Sequence, residues 1–180
     1  MIENIENIEL KYLTIDDYKQ LKAAMIEAYS SMPESYWKES HIQTLIDKFP
    51  EGQVVIKING EIAGVALSII VDYDAFEDDH TYEQITGKYS FDTHDANGDV
   101  LYGIEVFIKP QFRGLRLGRR LYDYRKELCE KLNLKSIVFG GRMPNFHKYV
   151  DELTPKEYIA KVKRKEITDP VLNFQILVKT

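Results

Sequence analysis

The sequence has little cysteine, no cluster of histidines and no long apolar run. Its single cysteine among 180 residues excludes an internal disulfide framework. Its histidines show no metal-ligand spacing, so we expect no metal site; they are His41, His80, His94 and His147. No apolar run approaches the roughly 20 residues of a membrane-spanning helix, and the N-terminus lacks the basic and apolar segments of a signal peptide. We therefore expect a cytoplasmic protein that makes no use of a membrane.

The charge of the chain argues against a nucleic-acid-binding function. The formal net charge is −5, whereas a protein that binds nucleic acid through its phosphates needs a basic surface. Charge is unevenly placed, because residues 72–79 are acidic and residues 113–126 are strongly basic. With 44% hydrophobic and 29% charged residues in a chain of this length, composition suits one globular domain.

The hydrophobic patterns predict a mixed α/β chain. Capping residues mark two helix starts, at Thr14 with Asp17 and at Thr154 with Pro155 and Glu157. The predicted strands lie at about 5–13, 53–58, 61–71, 100–109, 135–139 and 171–179, and the predicted helices at about 15–30, 35–48 and 115–132, with two short helical pieces after residue 141.

Two Asn-Gly pairs predict tight turns. Asn59-Gly60 joins two β-branched runs and is the strongest short signal of a hairpin, because both residues tolerate positive φ. Asn97-Gly98 predicts a second hairpin turn ahead of the strand at 100–109. That strand and the one at 135–139 are joined by a helix, so we expect them to pair in parallel. The rest of 72–98 gives no clear pattern.

A loop rich in glycine and arginine connects the strand at 100–109 to the helix at 115–132. The first turn of such a helix leaves backbone amides free at the positive end of the helix dipole. Gly114 and Gly118 let a ligand approach the backbone, and the arginines of 113–120 add positive charge. Neither a Gly-Lys-Ser/Thr phosphate loop nor a GxGxxG sequence is present. These features predict a phosphate-binding loop without naming its ligand.

This loop resembles the coenzyme A-binding signature of the GNAT superfamily of acetyltransferases, Gln/Arg-x-x-Gly-x-Gly/Ala. Arg113 occupies the first place of the signature and Gly118 the last, while Arg116 replaces its middle glycine. The resemblance implies the GNAT fold, an α/β architecture with a mixed central sheet and helices on both faces, formed by residues 1–180 as a single domain. Over roughly residues 80–176 the chain further resembles the GNAT domain that is fused ahead of a carbon–nitrogen hydrolase (nitrilase-like) domain in bacterial proteins.

The resemblance also implies a co-substrate, acetyl-CoA, and where it would bind. Backbone amides from Leu115 to Gly118, followed by Arg119, would hold the pyrophosphate. The backbone of 106–108 would pair with the pantetheine arm, and Asn145 would lie against the cofactor. The implied binding residues are Val106, Phe107, Ile108, Arg113, Gly114, Leu115, Arg116, Leu117, Gly118, Arg119 and Asn145.

An amine must lose a proton to attack a thioester, because an ammonium has no lone pair. Glu105 is our first candidate for the base, since it lies mid-strand between apolar neighbours and beside the expected pantetheine segment. His94 and Asp95 are the alternatives. Tyr149 is the candidate that would protonate the departing thiolate.

Other conspicuous side chains are interpreted as structural. Tyr29, Tyr36, Trp37 and Phe49 are expected to pack in the core rather than to line an acceptor pocket. Cys129 lies among leucines of a helix and is expected to pack there rather than to act as a nucleophile.

Three functions are compatible with these residues. The first is an N-acetyltransferase that moves an acetyl group from acetyl-CoA to a primary amine, on a small molecule or a peptide, by direct attack in a ternary complex. The second is a CoA-binding regulatory domain without turnover that acts on a partner hydrolase. The third, a nucleic-acid module using the arginines of 113–126, conflicts with the acidic balance of the chain. Acidic residues of 72–79 favour a cationic acceptor.

The predicted strand at 171–179 would leave an unpaired edge at the end of the sheet. Lys179 is the only charged residue of 171–180, and an apolar edge invites pairing with another chain. We therefore expect either a homodimer that covers this edge or a longer protein that supplies the missing segment.

Overall fold

The computed structural model describes residues 4–76 and 79–173. The chain forms two compact units, Met1–Phe139 and Gly140–Thr180. No helix within the described residues is long and apolar enough to cross a lipid bilayer. The single domain over 1–180 remains a prediction.

The first unit contains a five-stranded sheet and four helices. The strands are β1 (Ile8–Tyr12), β2 (Val54–Ile58), β3 (Glu61–Val71), β4 (Val100–Ile108) and β5 (Ser136–Phe139). The helices are α1 (Tyr18–Ala28), α2 (Glu39–Lys48), the short α3 (Tyr82–Thr86) and α4 (Leu117–Lys131). The second unit contains α5 (Pro155–Lys163).

The strands follow the chain order across the sheet, β1-β2-β3-β4-β5. Neighbours from β1 to β4 pair antiparallel, whereas β4 and β5 pair in parallel, which confirms the parallel pair expected from the sequence. Asn59 and Gly60 form the tight turn between β2 and β3, with φ angles of 50° and 81°. These positive values are the ones that a two-residue hairpin turn requires.

Helices cover both faces of the sheet, as expected for the predicted fold class. Leu21 and Met25 of α1 and Leu45 of α2 are buried in a cluster with side chains of β3 and β4. On the opposite face Leu121 of α4 packs with side chains of β2 and β3. Leu128 packs with the C-terminal end of β3 and the N-terminal end of β4. Each fully buried leucine contributes about 1.5–3 kcal/mol relative to an exposed one, so this layering carries much of the stability of the unit.

The second Asn-Gly pair does not form a hairpin, and that prediction is wrong. No strand lies directly before it, because residues 91–98 form turns and irregular backbone. The Asp95 amide donates to the Ile70 carbonyl, and the Asp99 amide to that of Val71, at 2.8 and 3.1 Å. The backbone of this connection is thus hydrogen-bonded to the end of β3, and Asn97-Gly98 only closes a turn before β4.

The second unit is organised around a buried aspartate. Asp169 is 0% exposed and accepts hydrogen bonds from the Tyr158 hydroxyl and from the amides of Asn145, Val171 and Leu172. Burial alone would raise the pKa of Asp169, but these hydrogen bonds outweigh it and hold the pKa below its usual value.

The start of the predicted strand at 171–179 is helical. Residues 170–173 form a helical turn, capped by Asp169 with Pro170 at its first position, which is a common helix start. The cap at Asp169 and the proline after it therefore start a helical turn at the first residues of the predicted strand. Residues 174–179 lie outside the described residues, as do residues 77 and 78 of the acidic run.

Candidate functional site

The parallel pairing of β4 and β5 stops halfway along β4. The last paired residues are Gly103 and Phe139, whereas β4 continues to Ile108. From Glu105 to Ile108 one edge of β4 pairs with β3. Along the other edge, no strand in the described part of the first unit pairs with it. This edge can therefore bind an extended ligand that carries amide groups.

The arginine-rich loop follows the end of β4 directly. Phe112 is 5% exposed and anchors the loop in the core, and the Lys109 amide donates to the Ala63 carbonyl at 2.8 Å. Gly114 has a φ of 87°, and a Cβ added to it would meet no atom within 4 Å. The loop is thus fixed at its start and open to solvent at Gly114.

Arg116 has a left-handed backbone at the N-cap of α4, with a φ of 58° and a ψ of 22°. Glycine adopts this conformation at little cost, whereas another residue pays about 1–2 kcal/mol. The structure therefore explains why the family signature has a glycine here. In this chain the same turn forms with an arginine, whose side chain is exposed.

The start of α4 presents backbone amides and positive charge together. Leu117 is buried and holds the first turn against the sheet, and Gly118 adds no side chain beside it. The first amides of a helix have no intrahelical acceptor, and the side chains of Arg113 and Arg119 are exposed nearby in sequence. A pyrophosphate fits this set of donors and charges.

The Glu105 carboxylate is held by two aromatic side chains from the region of α1 and α2. The Tyr29 hydroxyl donates to Oε1 at 2.5 Å, and the Trp37 indole Nε1 donates to Oε2 at 3.2 Å. The Val106 amide also donates to Oε1, at 3.0 Å. Glu105 is partly exposed, so the carboxylate has a fixed direction and access to solvent.

More aromatic side chains surround this carboxylate. The Trp37 ring lies 5.4 Å from that of Tyr89 and 5.8 Å from that of Phe91. The Tyr82 hydroxyl donates to the Ile104 carbonyl at 2.8 Å, and burial, followed by the negative charge of Glu105, raises the pKa of Tyr82. Tyr82 and Tyr89 are 42% and 36% exposed, so the aromatic wall reaches the surface.

The alternative bases lie elsewhere in the first unit. His94 Nδ1 accepts from the Ile70 amide at 3.1 Å, and its ring stacks on Phe49, which packs on the α4 side of the sheet. Burial lowers the pKa of His94. Asp95 is exposed and accepts from the Asn97 amide at 2.8 Å. Neither side chain shares the aromatic surroundings of Glu105.

Asn145 and Tyr149 belong to the second unit. The Asn145 side chain donates to the Thr168 carbonyl at 3.0 Å, and its backbone amide donates to Asp169. Tyr149 is half-buried, with its ring 5.6 Å from that of Tyr158. The remaining predicted site residues, from Glu105 to Arg119, all lie on β4, on the loop and at the start of α4.

Sequence reasoning missed two residues of this site. Tyr29 and Trp37 were interpreted as core aromatics, and their rings do pack in the α1–α2 side of the core. Each also donates its polar hydrogen to Glu105. The residue types alone indicate that such side chains need a hydrogen-bond partner when buried, because Tyr and Trp carry polar hydrogens on their rings. They do not indicate which residue that partner is.

Comparisons with known proteins identify the family of the chain. The model of the acetyltransferase (GNAT) family matches residues 22–148. The probable hydrolase YhcX of Bacillus subtilis (strain 168) is 44% identical over 141 residues, or 78% of this chain; the chain spans only 28% of that relative. The uncharacterized N-acetyltransferase YkwB of the same organism is 30% identical over 94% of this chain and 76% of that protein.

Two solved structures share the fold at lower identity. The loading GNATL domain of CurA from Lyngbya majuscula superposes with a TM-score of 0.79 and 23% identity, over 96% of this chain and 83% of that one. The GphF GNAT-like decarboxylase in complex with isobutyryl-CoA has a TM-score of 0.69 and 16% identity, over 93% and 83%. With a parallel strand pair that ends halfway along β4, a loop at a helix start and a family model matching most of its length, this chain belongs to the acetyltransferase (GNAT) family.

Proposed function

We propose that this protein is an N-acetyltransferase that moves an acetyl group from acetyl-CoA to a primary amine, with Glu105 as the general base. The observation that carries the proposal is the Glu105 carboxylate, fixed by Tyr29 and Trp37 at the point where β4 loses its parallel partner. A partly exposed carboxylate of fixed direction, next to an open strand edge, is what proton removal from a bound amine requires.

The cofactor side of the proposal rests on β4 and α4. The amides of Leu115–Gly118 and the charge of Arg113 and Arg119 suit a pyrophosphate. The open edge of 106–108 offers backbone hydrogen-bonding groups to the amides of a pantetheine arm, and of these the Val106 amide donates to Glu105 in this structure. The bound co-substrate would supply an activated thioester, whose carbonyl carbon is the electrophile.

The reaction requires proton transfers at the nitrogen and at the sulfur. Glu105 would accept a proton from the bound ammonium, because only the neutral nitrogen has a lone pair with which to attack the thioester carbon; the attacking nitrogen then loses its second proton to solvent. The new carbon–nitrogen bond replaces the carbon–sulfur bond, and the leaving thiolate takes a proton. Tyr149 is the proposed donor of that proton, and solvent would then reprotonate the tyrosine.

The acceptor site would favour an amine on an apolar or aromatic frame. Before losing its proton the amine is a cation, which a carboxylate attracts and an aromatic face also stabilises, by about 0.5–2 kcal/mol. Tyr82 and Tyr89, which are 42% and 36% exposed, supply such faces near Glu105. The negative charge of Glu105 would repel an acyl-CoA whose acyl group carries a carboxylate. It therefore argues against decarboxylation, the activity named for the GphF neighbour.

A second candidate is a CoA-binding domain that regulates a hydrolase without turnover. It is favoured by one observation, that the chain aligns with 28% of a relative named a probable hydrolase. The Tyr29 and Trp37 hydrogen bonds that fix the Glu105 carboxylate are not needed to bind CoA alone, so we rank catalysis first.

The experiment is a thiol-release assay with acetyl-CoA and a panel of primary amines, run on the protein and on Glu105→Gln. We expect release that depends on the amine, and a loss of roughly 10²–10⁴-fold in kcat for Glu105→Gln. Glu9→Gln, an exposed strand glutamate on β1, is the matched control and should behave as the parent protein. No release with any amine, despite a melting-temperature shift with CoA, would favour the regulatory domain.

A further inference from the structure

The buried guanidinium of Arg125 lies in the middle of α4. Arg125 is 2% exposed, and among the described residues no carboxylate forms an ion pair with it. Burial lowers the pKa of Arg125 to about 10, so the side chain stays charged at neutral pH. An arginine is rarely buried without a carboxylate because removing its charge from water is costly. Its hydrogen bonds are therefore informative.

Arg125 holds both strands at one irregular point of the sheet. Nη2 donates to the Leu67 carbonyl at 2.8 Å and to the Glu105 carbonyl at 2.6 Å, and Nε donates to Ser68 Oγ at 3.1 Å. The register between β3 and β4 shifts here, since Leu67 lies opposite Glu105 but Ser68 lies opposite Gly103. One residue of β4 is thus extra, which is a β-bulge.

The bulge reverses the direction of the side chains along β4. Before the bulge, Tyr102 packs in the α1–α2 cluster, and Gly103 faces the opposite side, where an added Cβ would lie 2.7 Å from Arg125 Nη1. The extra residue, Ile104, packs in the α1–α2 cluster again. After it, Val106 packs toward α4 and Phe107 in the α1–α2 cluster. Two consecutive residues, 104 and 105, therefore face the same side.

This reversal decides where the carboxylate of Glu105 goes. Regular alternation after Ile104 would turn Glu105 toward α4, away from both aromatic donors. Because of the extra residue, Glu105 instead faces Tyr29 and Trp37. The direction of the proposed base is thus a property of the bulge.

We propose that Arg125 is a positioning residue, which fixes the β4 bulge and thereby aims the Glu105 carboxylate at the acceptor. The inference rests on the proposed function of Glu105. Gly103 is part of the same arrangement, because only a residue without a side chain leaves room for the guanidinium. Ser68 completes it by accepting from Nε.

The test compares Arg125→Lys, Arg125→Met and Ser68→Ala in two backgrounds, the parent protein and Glu105→Gln. Each variant is assayed for kcat and for KM of the amine by thiol release, and for its melting temperature with and without CoA. If Arg125 acts through Glu105, Arg125→Lys should lower kcat about tenfold or more in the parent and less than about twofold in Glu105→Gln, since coupled residues are not additive. Arg125→Met should lose more than Arg125→Lys.

Ser68→Ala removes only the hydrogen bond from Arg125 Nε, so we expect it to fold, and it decides the matter if the Arg125 variants fail to fold. We expect it to lower kcat severalfold in the parent only. The control is Lys131→Met, since Lys131 is an exposed cation of the same helix. It should leave kcat unchanged in both backgrounds. An equal loss in both backgrounds would overturn the positioning role and leave the proposed function standing. Normal turnover of Glu105→Gln itself would overturn both.

Discussion

The Tyr29 hydroxyl and the Glu105 carboxylate meet at 2.5 Å although 76 positions separate them in the chain. Tyr29 directly follows α1, and Glu105 lies at the point on β4 where the parallel pairing has ended. A hydroxyl that donates to a carboxylate makes a strong, directional bond. The contact therefore joins the helical layer that would receive an acceptor to the strand that would hold the cofactor.

Replacing Tyr29 with phenylalanine should separate the positioning of Glu105 from the packing of the aromatic ring. The ring still packs edge-on against Phe107, with centroids 5.8 Å apart in the parent, but the bond to the carboxylate is lost. We expect kcat to fall about tenfold and the free energy of unfolding to fall by about 1–2 kcal/mol. Thiol-release kinetics and chemical denaturation measure the two effects.

Tyr36→Phe is the matched control for this prediction. Tyr36 lies in the same connection between α1 and α2 as Tyr29, and Lys22 Nζ lies 4.4 Å from the centre of its ring. Its variant should keep parent kinetics. A Tyr29→Phe protein with unchanged kcat would remove Tyr29 from the site.

Gly118→Leu tests the cofactor loop. A ligand that binds only the folded state raises the melting temperature by mass action, and the leucine side chain would occupy the space through which a pyrophosphate approaches the amides of α4. We expect acetyl-CoA to stabilise the parent and to leave the melting temperature of Gly118→Leu unchanged. The variant without ligand should melt within a few degrees of the parent, since a leucine suits a helix. A normal CoA shift in Gly118→Leu would refute the proposed cradle.

The strand–loop–helix unit could be predicted from the sequence because its signals are local. A strand at 100–109 and a helix at 115–132 were expected, and β4 and α4 occupy Val100–Ile108 and Leu117–Lys131. The apolar stripe of the helix, including Leu121, is buried as its spacing requires. Periodicity, a proline and a glycine-rich turn are enough to locate such a unit.

The surroundings of Glu105 could not be predicted in the same way. The partners of its carboxylate come from 76 and 68 positions away, and nothing local distinguishes an aromatic that packs from one that also donates. The bulge at Ile104 depends on Arg125 reaching two strands from a helix. Both features are produced by tertiary packing, which a single sequence does not display.

Arg116→Gly should stabilise the protein. Arg116 has a φ of 58°, and relieving this left-handed strain recovers about 1 kcal/mol, net of the greater freedom of glycine in the unfolded chain. Arg113 provides the matched control because it has an extended backbone, with a φ of −69° and a ψ of 154°. Arg113→Gly should therefore leave the free energy of unfolding unchanged or lower it. Equal effects of the two substitutions in urea denaturation would contradict this account of the loop.

Asp17 should make the stability of the protein depend on pH in acid. Its side chain is buried and accepts hydrogen bonds from Lys57 Nζ at 2.5 Å and from the Thr14 amide at 3.2 Å. Burial alone would raise the pKa of Asp17, but Lys57 and Thr14 outweigh it, so the pKa lies below its ordinary value of 3.8. A depressed folded-state pKa stabilises the protein above the unfolded-state pKa of about 4, and this stabilisation is lost as the pH falls through the folded-state value.

Asp17→Asn should therefore cost about 2–3 kcal/mol at pH 7, the scale of hydrogen bonds to a charged group, and much less at pH 3. Urea denaturation at pH 7, 5, 4 and 3 measures the difference between parent and variant, which should shrink below about pH 5. Asp16→Asn is the control, since the neighbouring Asp16 is exposed and its variant should follow the parent at every pH. A destabilisation by Asp17→Asn that stays constant from pH 7 to pH 3 would mean that Asp17 stabilises the fold by packing, and not through its charged pair with Lys57.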